Sequence, residues 1–270
     1  GIGSISRRGL LMTVEYSVQE KVARVTINRM DRMNAVDEET ADRLEEIWQV
    51  VESDPEIRVV ILTGRGDKAF SSGADMKASA DAKSGVAYWA EARPGGFGGL
   101  ALRKSLKVPV IGRVNGLAVG GGFEMVLGCD IVIAADHATF GFPEPKVGRM
   151  PLDGGMILLP RLIPQKVAMG MLLTGKRISA QDAERYGIVN QVVDAADLDD
   201  AVNRWVHQIL ECAPLSVKAI KESVKATSHL SLGEAHAMRL PVLMDALQSE
   251  DADEGPSAFR EKRQPVWKGK

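Results

Sequence analysis

Residues 109–160 read PVIGRVNGLAVGGGFEMVLGCDIVIAADHATFGFPEPKVGRMPLDGGMILLP, and the interpretation of the whole chain starts from this stretch. An apolar run, Leu117 to Val119, ends in three consecutive glycines, and a helical pattern follows at Phe123 to Leu127. The glycines therefore stand where a helix begins, and a helix N-terminus presents free N–H groups and a partial positive charge. Because glycine lets another group approach the backbone closely, this turn is suited to an oxygen that carries or develops negative charge.

Two acids lie in apolar parts of the same stretch. Glu124 falls in the first helical turn, surrounded by glycines rather than by Lys or Arg, although an acid there also simply favours the helix dipole. Glu144 lies in Gly-Phe-Pro-Glu-Pro, where the prolines stiffen the chain and are expected to exclude a helix, and a solvated loop acid would look the same. Together, Glu124 and Glu144 form a candidate general acid/base pair.

The flanking chain alternates strand and helix patterns. A hairpin is predicted at Val14–Val18 and Val22–Asn28, and Asp37 is a candidate cap for the next helix. Continuous apolar runs then predict buried strands at 57–63, 109–114 and 131–135. This alternation indicates an α/β core.

From Pro164 onward helical patterns dominate. Helices are predicted at Asp197–Cys212, Pro214–Thr227 and Ser231–Ser249, the last opened by a capping box at Ser231 and Glu234. We therefore expect an α/β core with the active site over residues 12–197 and a helical oligomerisation lobe over 198–270. Residues 1–11, which lack an initiating Met, are interpreted as a cloning remnant or a flexible leader.

Composition excludes several classes of protein. The net charge is −2 and aromatic residues make up 5%, whereas nucleic-acid binders normally carry a basic excess. The only cysteines, Cys129 and Cys212, indicate a reducing compartment rather than a disulfide framework, so a cytoplasmic location is expected. The four histidines show no metal-ligand spacing, and no apolar run reaches the ~20 residues that span a membrane. Neither a P-loop nor a Gly-x-Ser-x-Gly elbow is present.

Several spaced motifs occur in an order that resembles one known family. The stretches 115–124 (NGLAVGGGFE), Cys129-Asp130, 140–144 (FGFPE) and 69–77 (AFSSGADMK) together resemble the crotonase (enoyl-CoA hydratase/isomerase) superfamily, over about residues 14 to 268. The resemblance implies a crotonase-like spiral of β-β-α units. It also implies a C-terminal helical lobe that packs trimers, so a homotrimer or a dimer of trimers is expected.

The same resemblance assigns roles to individual residues. It places an oxyanion hole at the backbone N–H groups of Ala74 and Gly121, with Glu124 and Glu144 as the acid/base pair. It implies that substrate and coenzyme A contact Ala74, Asp75, Met76, Lys77, Gly120 and Gly121, with Lys77 nearest the phosphates. No metal and no separate cofactor are implied, because coenzyme A is part of the substrate.

The function implied is that of a hydro-lyase of fatty acid metabolism, which adds water across the double bond of a 2-enoyl-CoA thioester. A Δ3,Δ2-enoyl-CoA isomerase and a carnitinyl-CoA dehydratase (crotonobetainyl-CoA hydratase) are the enzymatic alternatives. An acyl-CoA-binding protein without turnover is the non-enzymatic one, and the presence of both Glu residues argues against it. Nucleic acid and membrane are not expected partners.

The acyl group is the open question at this stage. Residues 151–157 read PLDGGMI where family hydratases usually read Pro-Gly-x-Gly-Gly-Thr-Gln, and residues 94–100, 143–146 and the tail from Ser249 resemble carnitinyl-CoA dehydratases. A trimethylammonium acyl group needs an aromatic face or a carboxylate. The candidates for that role are Tyr88, Trp89, Phe97 and Asp153. Because aromatic residues are few, we predict a higher kcat/KM for crotonyl-CoA than for crotonobetainyl-CoA.

Overall fold

A computed structural model describes residues 12–77 and 84–270 of the chain. Residues 1–11, interpreted from the sequence as a remnant or leader, lie outside the described part. Within it the chain forms two β-sheets covered by helices, so that strand and helix alternate as the sequence predicts.

The described residues form ten strands and eleven α-helices, together with short 3-10 turns. The strands are β1 (Val14–Gln19), β2 (Val22–Ile27), β3 (Val59–Gly64), β4 (Ala69–Ser71), β5 (Val110–Val114), β6 (Leu117–Val119), β7 (Ile131–Ala135), β8 (Thr139–Gly141), β9 (Ile178–Ser179) and β10 (Gln191–Val193). The helices are α1 (Glu38–Ser53), α2 (Gly85–Ala90), α3 (Gly121–Gly128), α4 (Gly155–Leu162), α5 (Gln165–Thr174), α6 (Ala180–Tyr186), α7 (Leu198–Leu210), α8 (Pro214–Thr227), α9 (Leu232–Ala237), α10 (Pro241–Leu247) and α11 (Glu250–Arg260).

The larger sheet has six strands in the order β1-β2-β3-β5-β7-β10. The predicted hairpin is confirmed, since β1 and β2 pair antiparallel, and the remaining neighbours are parallel. The apolar runs at β3, β5 and β7 form its centre; β3 is buried along its whole length. Continuous burial on both faces explains why these strands read as unbroken apolar runs rather than as alternating patterns.

A second sheet of four short strands, β4-β6-β8-β9, lies beside the first. Each central strand of the large sheet is followed in sequence by one of the small sheet: β3 by β4, β5 by β6 and β7 by β8. The chain therefore advances by repeated strand pairs, and helix α3 starts directly after β6. The α/β class was predicted from the sequence pattern, and this arrangement is the spiral of β-β-α units that the family resemblance implied.

Helices cover both faces of the large sheet. Asp37 caps α1 by accepting a hydrogen bond from the Thr40 N–H, and α1 buries Leu44, Ile47 and Trp48 in the main core. Helix α7 packs on the opposite face, where Leu198, Ala201, Val202 and Val206 contact Val59, Ile61, Ile111 and Ile133. The division at 197/198 stays a prediction; α7, which follows it, is packed against the sheet.

The C-terminal helices differ from the prediction in one place. A single helix over Ser231–Ser249 is wrong: α9 ends at Ala237, and Pro241 then begins the separate helix α10. Proline lacks an N–H and is suited to the first turn of a helix rather than its interior, so the chain restarts there. The capping box at Ser231 and Glu234 is confirmed. Helix α11 was not predicted; its N-cap is Ser249.

Candidate active site

At the start of helix α3 two segments of the spiral lie in close contact. Gly120 has φ 57°, a conformation that glycine adopts without strain, and it turns the chain from β6 into α3. A Cβ on Gly121 would lie 2.3 Å from the Phe97 ring, and one on Gly73 would lie 2.7 Å from the Gly121 nitrogen. The segment Gly73-Ala74 therefore lies directly against the helix start. Glycine is required at 73 because of the Gly121 nitrogen and at 121 because of the Phe97 ring.

Two backbone donors near this contact have no partner within the described chain. Val36 bridges the segment after β4: its N–H donates to the Gly73 carbonyl, and its carbonyl accepts from the Asp75 N–H. The N–H of Ala74, between them, donates to no other described residue, and neither does that of Gly121 at the helix start. These are the two groups predicted as oxyanion donors.

Glu124 is a buried acid on α3, with 3% of its surface exposed. Its Oε2 accepts a hydrogen bond of 2.8 Å from the Gly155 N–H at the start of α4. Burial raises the pKa of its carboxyl to about 8; the Gly155 N–H opposes this rise, and the charges of Asp153 and Glu144 add to it. The carboxyl is thus set to hold its proton near neutral pH.

Glu144 begins a 3-10 turn, Glu144–Val147, and its side chain is half-buried. The expectation that prolines exclude any helix here is wrong, because Pro145 occupies a first-turn position whose N–H is not needed. Burial raises the pKa of the Glu144 carboxyl. Its Oε1 is buried and accepts no hydrogen bond from the described residues, and it lies 3.8 Å from where a Gly120 Cβ would stand.

Aromatic packing joins the two acids to one core. Phe142, two residues before Glu144, stacks on Phe123 of α3 with ring centroids 4.6 Å apart. A Cβ on Gly155 would lie 2.7 Å from the Phe142 ring, so α4 also meets this stack. The structure therefore brings Glu124, Glu144 and the Ala74/Gly121 donors together around the start of α3.

The predicted coenzyme A segment, residues 74–77, is held by an ion pair on its buried side. The Asp75 side chain is 3% exposed and forms an ion pair of 2.9 Å with Arg29 Nη1. The Lys77 N–H donates to Asp75 Oδ1, while the Lys77 and Met76 side chains are exposed. The Asp75 carboxylate thus shapes the turn from inside, while Lys77 extends its side chain to the surface, and its predicted contact with a phosphate stays a prediction.

Sequence reasoning missed an ion pair beside Glu124, in which Asp153 is buried and Arg93 is partly exposed. The Asp153 side chain accepts hydrogen bonds from Arg93 Nε, at 3.1 and 3.0 Å, and from the Tyr88 hydroxyl. Arg93 Nη2 donates to the Tyr88 carbonyl, and its guanidinium lies 3.5 Å from the Tyr88 ring centroid. The Asp153 backbone N–H also faces the Glu124 carboxylate. Only Asp153 and Tyr88 were singled out from the sequence; Arg93 gave no signal, since no pattern links it to a residue so distant in sequence.

The aromatic residues considered for a cationic acyl group are separated in the structure. Tyr88 packs on Arg93 and Asp153, and Phe97 covers Gly121. Trp89 is 64% exposed and belongs to neither contact. The three residues therefore do not form one aromatic cage.

Within residues 12–77 and 84–270, no three His, Cys, Asp or Glu side chains are grouped so that they could hold a metal ion. In the same part of the chain, no helix combines the length and apolar character needed to cross a membrane.

The comparisons with known proteins agree with this geometry. The family model described as enoyl-CoA hydratase/isomerase matches residues 17–270. A carnitinyl-CoA dehydratase from Citrobacter koseri is 43% identical over 96% of this chain and 99% of its own length. Another, from Escherichia coli K12, is 43% identical over 92% and 95%. The crystal structure of an enoyl-CoA hydratase from Bacillus anthracis superimposes with a TM-score of 0.90 at 32% identity, covering 96% of this chain and 100% of that one. With a family model matched over residues 17–270 and relatives 43% identical along nearly the whole chain, the protein belongs to the enoyl-CoA hydratase/isomerase family.

Proposed function

We propose that the protein is a hydro-lyase that adds water across the double bond of a 2-enoyl-CoA thioester. The observation that carries this proposal is the buried Glu124, whose pKa is raised to about 8, beside a second acid and two free backbone donors. A silent binding protein has no use for a buried acid held near its titration point, whereas a proton-transfer catalyst depends on it.

The backbone donors account for activation of the thioester. Negative charge flows onto the carbonyl oxygen as water attacks Cβ, and the N–H groups of Ala74 and Gly121 would receive that charge. Gly121 adds the partial positive charge of the α3 N-terminus. Donors of this kind typically contribute ~3–4 kcal/mol each to lowering the barrier.

The two acids account for the protons. One carboxylate takes a proton from the attacking water, and the other carboxyl gives a proton to Cα, so the pair holds the same number of protons before and after the step. This requires one proton on the pair at working pH. The raised pKa values of Glu124 and Glu144 support that state: burial raises both, and the charge of Glu144 adds to the rise at Glu124.

Coenzyme A contacts follow from the turn after β4. We propose that Lys77 contacts the phosphates, while Ala74, Met76, Gly120 and Gly121 line the thioester and pantetheine side. The Asp75 side chain would act indirectly, through Arg29, by holding this turn. The proposal needs no separate cofactor, and a cytoplasmic location, indicated by the two free cysteines, stays a prediction.

A second candidate is hydration of crotonobetainyl-CoA, or the reverse dehydration of carnitinyl-CoA. It is favoured by the 43% identity to proteins named carnitinyl-CoA dehydratase. Both candidates use the same acids and donors and differ in the acyl group, which in crotonobetainyl-CoA carries an additional trimethylammonium group. We propose the neutral substrate, for the structural reason given in the next subsection.

We also propose a trimer or a dimer of trimers. Helices α9 and α10 bury none of their residues within the chain, and Leu232 is 92% exposed. An apolar face of this kind is usually covered in a closed symmetric assembly. Sedimentation at micromolar concentration should show the oligomer, and a stable monomer would contradict the proposal.

The activity is tested by incubating the purified protein with crotonyl-CoA and following loss of the conjugated thioester absorbance, with mass spectrometry to detect the gain of one water. A 3-enoyl-CoA in a parallel assay tests the isomerase alternative, in which mass does not change. Conversion without water gain would favour the isomerase. Saturable binding of crotonyl-CoA without any conversion would contradict catalysis altogether.

A further inference from the structure

Beside Glu124, the chain already holds a cation on the two groups that a trimethylammonium would need. Those groups are the Asp153 carboxylate and the face of the Tyr88 ring, as expected for recognition of a quaternary ammonium. Arg93 occupies both: it donates to Asp153 from Nε and stacks over Tyr88 at 3.5 Å. We infer that Arg93 is a specificity-determining residue that excludes cationic acyl groups and leaves the pocket to neutral 2-enoyl-CoA substrates. This inference rests on the proposed hydratase activity.

The place of the cluster in the fold links it to Glu124 and to the start of α3. Asp153 stands two residues before Gly155, whose N–H holds Glu124 Oε2 at 2.8 Å. The Tyr88 hydroxyl is close enough to Glu124 for the Glu124 charge to contribute to the raised pKa of Tyr88, behind burial and the contact with Asp153. The Phe97 N–H donates to the Asp153 carbonyl, and the Phe97 ring covers Gly121. The cluster thus lies on the Glu124 side of the site.

The charges of the cluster are balanced without a substrate. Asp153 is 6% exposed and its carboxylate is paired with Arg93, which also makes a longer contact of 3.9 Å to the more exposed Glu91. A second cation placed there would meet the guanidinium and find no free carboxylate among these residues. A buried charge without a partner is strongly unfavourable, so a trimethylammonium group would be disfavoured beside this cluster.

A neutral isostere separates charge from size. In this isostere of crotonobetainyl-CoA, carbon replaces the ammonium nitrogen, which gives a tert-butyl group of nearly the same shape. We expect the wild-type protein to show a kcat/KM for the isostere at least tenfold above that for crotonobetainyl-CoA, which corresponds to ~1.4 kcal/mol. A wild-type ratio near or below one would overturn the inference without any variant.

Variants then assign the preference to Arg93. Arg93→Gln removes the charge, while its amide can still donate to Asp153, and the ratio should fall to roughly threefold or less. Arg93→Met is the second neutral variant, for use if the first does not fold. Arg93→Lys keeps the charge and should keep the preference. An unchanged ratio in a folded, active neutral variant would overturn the role of Arg93.

A matched control is available on the surface. Arg185 also pairs with a carboxylate, Asp182 at 2.9 Å, and lies over a tyrosine ring, Tyr186, at 5.1 Å. Arg185→Gln should leave the substrate ratio unchanged. Failure of the inference and failure of the proposed function are distinguishable. In the first case crotonyl-CoA is hydrated but the ratio does not depend on Arg93; in the second the wild type hydrates none of the three thioesters.

Discussion

Glu124 belongs to a helix whose residues are nearly all buried, whereas Glu144 starts a four-residue 3-10 turn in which none is buried. The Glu124 carboxylate is held by the Gly155 N–H, while Glu144 Oε1 accepts nothing from the described residues. The same side chain therefore stands in a fixed setting on one side of the site and in an adaptable one on the other. The difference teaches that Glu124 is positioned by the fold alone, whereas Glu144 has hydrogen-bonding capacity left for substrate and water.

The largest effects on activity are expected when each of the two acids is replaced in turn by its neutral amide. Glu124→Gln and Glu144→Gln should each lower kcat for crotonyl-CoA hydration by at least ~100-fold, the low end for a positioned acid or base. The fold should survive, because neither change removes apolar volume. Steady-state kinetics with circular dichroism as the folding control checks this. Near wild-type turnover in either variant would contradict the two-carboxylate mechanism.

The substitutions that lower activity should raise stability, and Glu124→Gln should raise it more than Glu144→Gln. The Glu124 carboxyl has a folded pKa of about 8 against an ordinary value of 4.5. The folded state therefore binds a proton that the unfolded state has lost, and stability falls as pH rises from about 4.5 through 8. Glu124→Gln should thus raise the free energy of unfolding by roughly 2–3 kcal/mol at pH 7, with little gain below pH 4.5.

Urea unfolding at several pH values measures this gain. Glu144→Gln is the matched variant, because the Glu144 side chain is only half-buried, and its gain should be smaller. A gain for Glu124→Gln that did not change with pH would show that burial of the charge is not its cause.

A smaller effect on catalysis is expected from substitution of Asp153, the charged residue beside Glu124. Asp153→Asn removes a negative charge that raises the pKa of Glu124, so the alkaline limb of the kcat/KM profile should move to lower pH. It also weakens the contacts of Arg93 and Tyr88, and kcat should fall by about tenfold through misplacement of Glu124. The pH–rate profile is the decisive measurement; an unmoved limb would mean that Asp153 acts on packing alone.

The smallest effect is expected from Trp89→Ala. Trp89 is 64% exposed and lies outside the Tyr88–Asp153 contact, so kcat/KM for either thioester should change by less than about twofold. Tyr88→Phe is the informative neighbour, because it removes the hydroxyl that donates to Asp153. A larger effect of Trp89→Ala than of Tyr88→Phe would contradict the inference that the substrate meets the Tyr88–Asp153 cluster rather than Trp89.

Local sequence signals were enough to predict much of the fold and part of the site. The apolar runs of β3, β5 and β7 and the glycines before α3 depend on neighbours in sequence, so their strands and helix start could be read directly. The break before α10 was missed although Pro241 marks it, because the apolar spacing continues across the proline. Spacing predicted Glu124 but not its raised pKa, which depends on burial by segments distant in sequence.

The Arg93–Asp153 pair could not be predicted from local sequence patterns. Residues 91–94 read Glu-Ala-Arg-Pro, and nothing in their own pattern predicts a guanidinium stacked on Tyr88 and bonded to Asp153. Only the folding of α2 and the loop before α4 against each other brings these side chains together. Long-range ion pairs of this kind have no period or motif and must be seen in three dimensions.

The dual use of Asp153 has a consequence for how this enzyme could diverge. Its side chain anchors Arg93, which we infer selects the substrate, while its backbone faces Glu124, the proposed catalytic acid. A lineage could exchange Arg93 and acquire a new acyl specificity in a single step while keeping its proton chemistry. Replacing Asp153 would disturb both traits at once. Changes in substrate range should therefore arise by substitution of Arg93, with Asp153 retained.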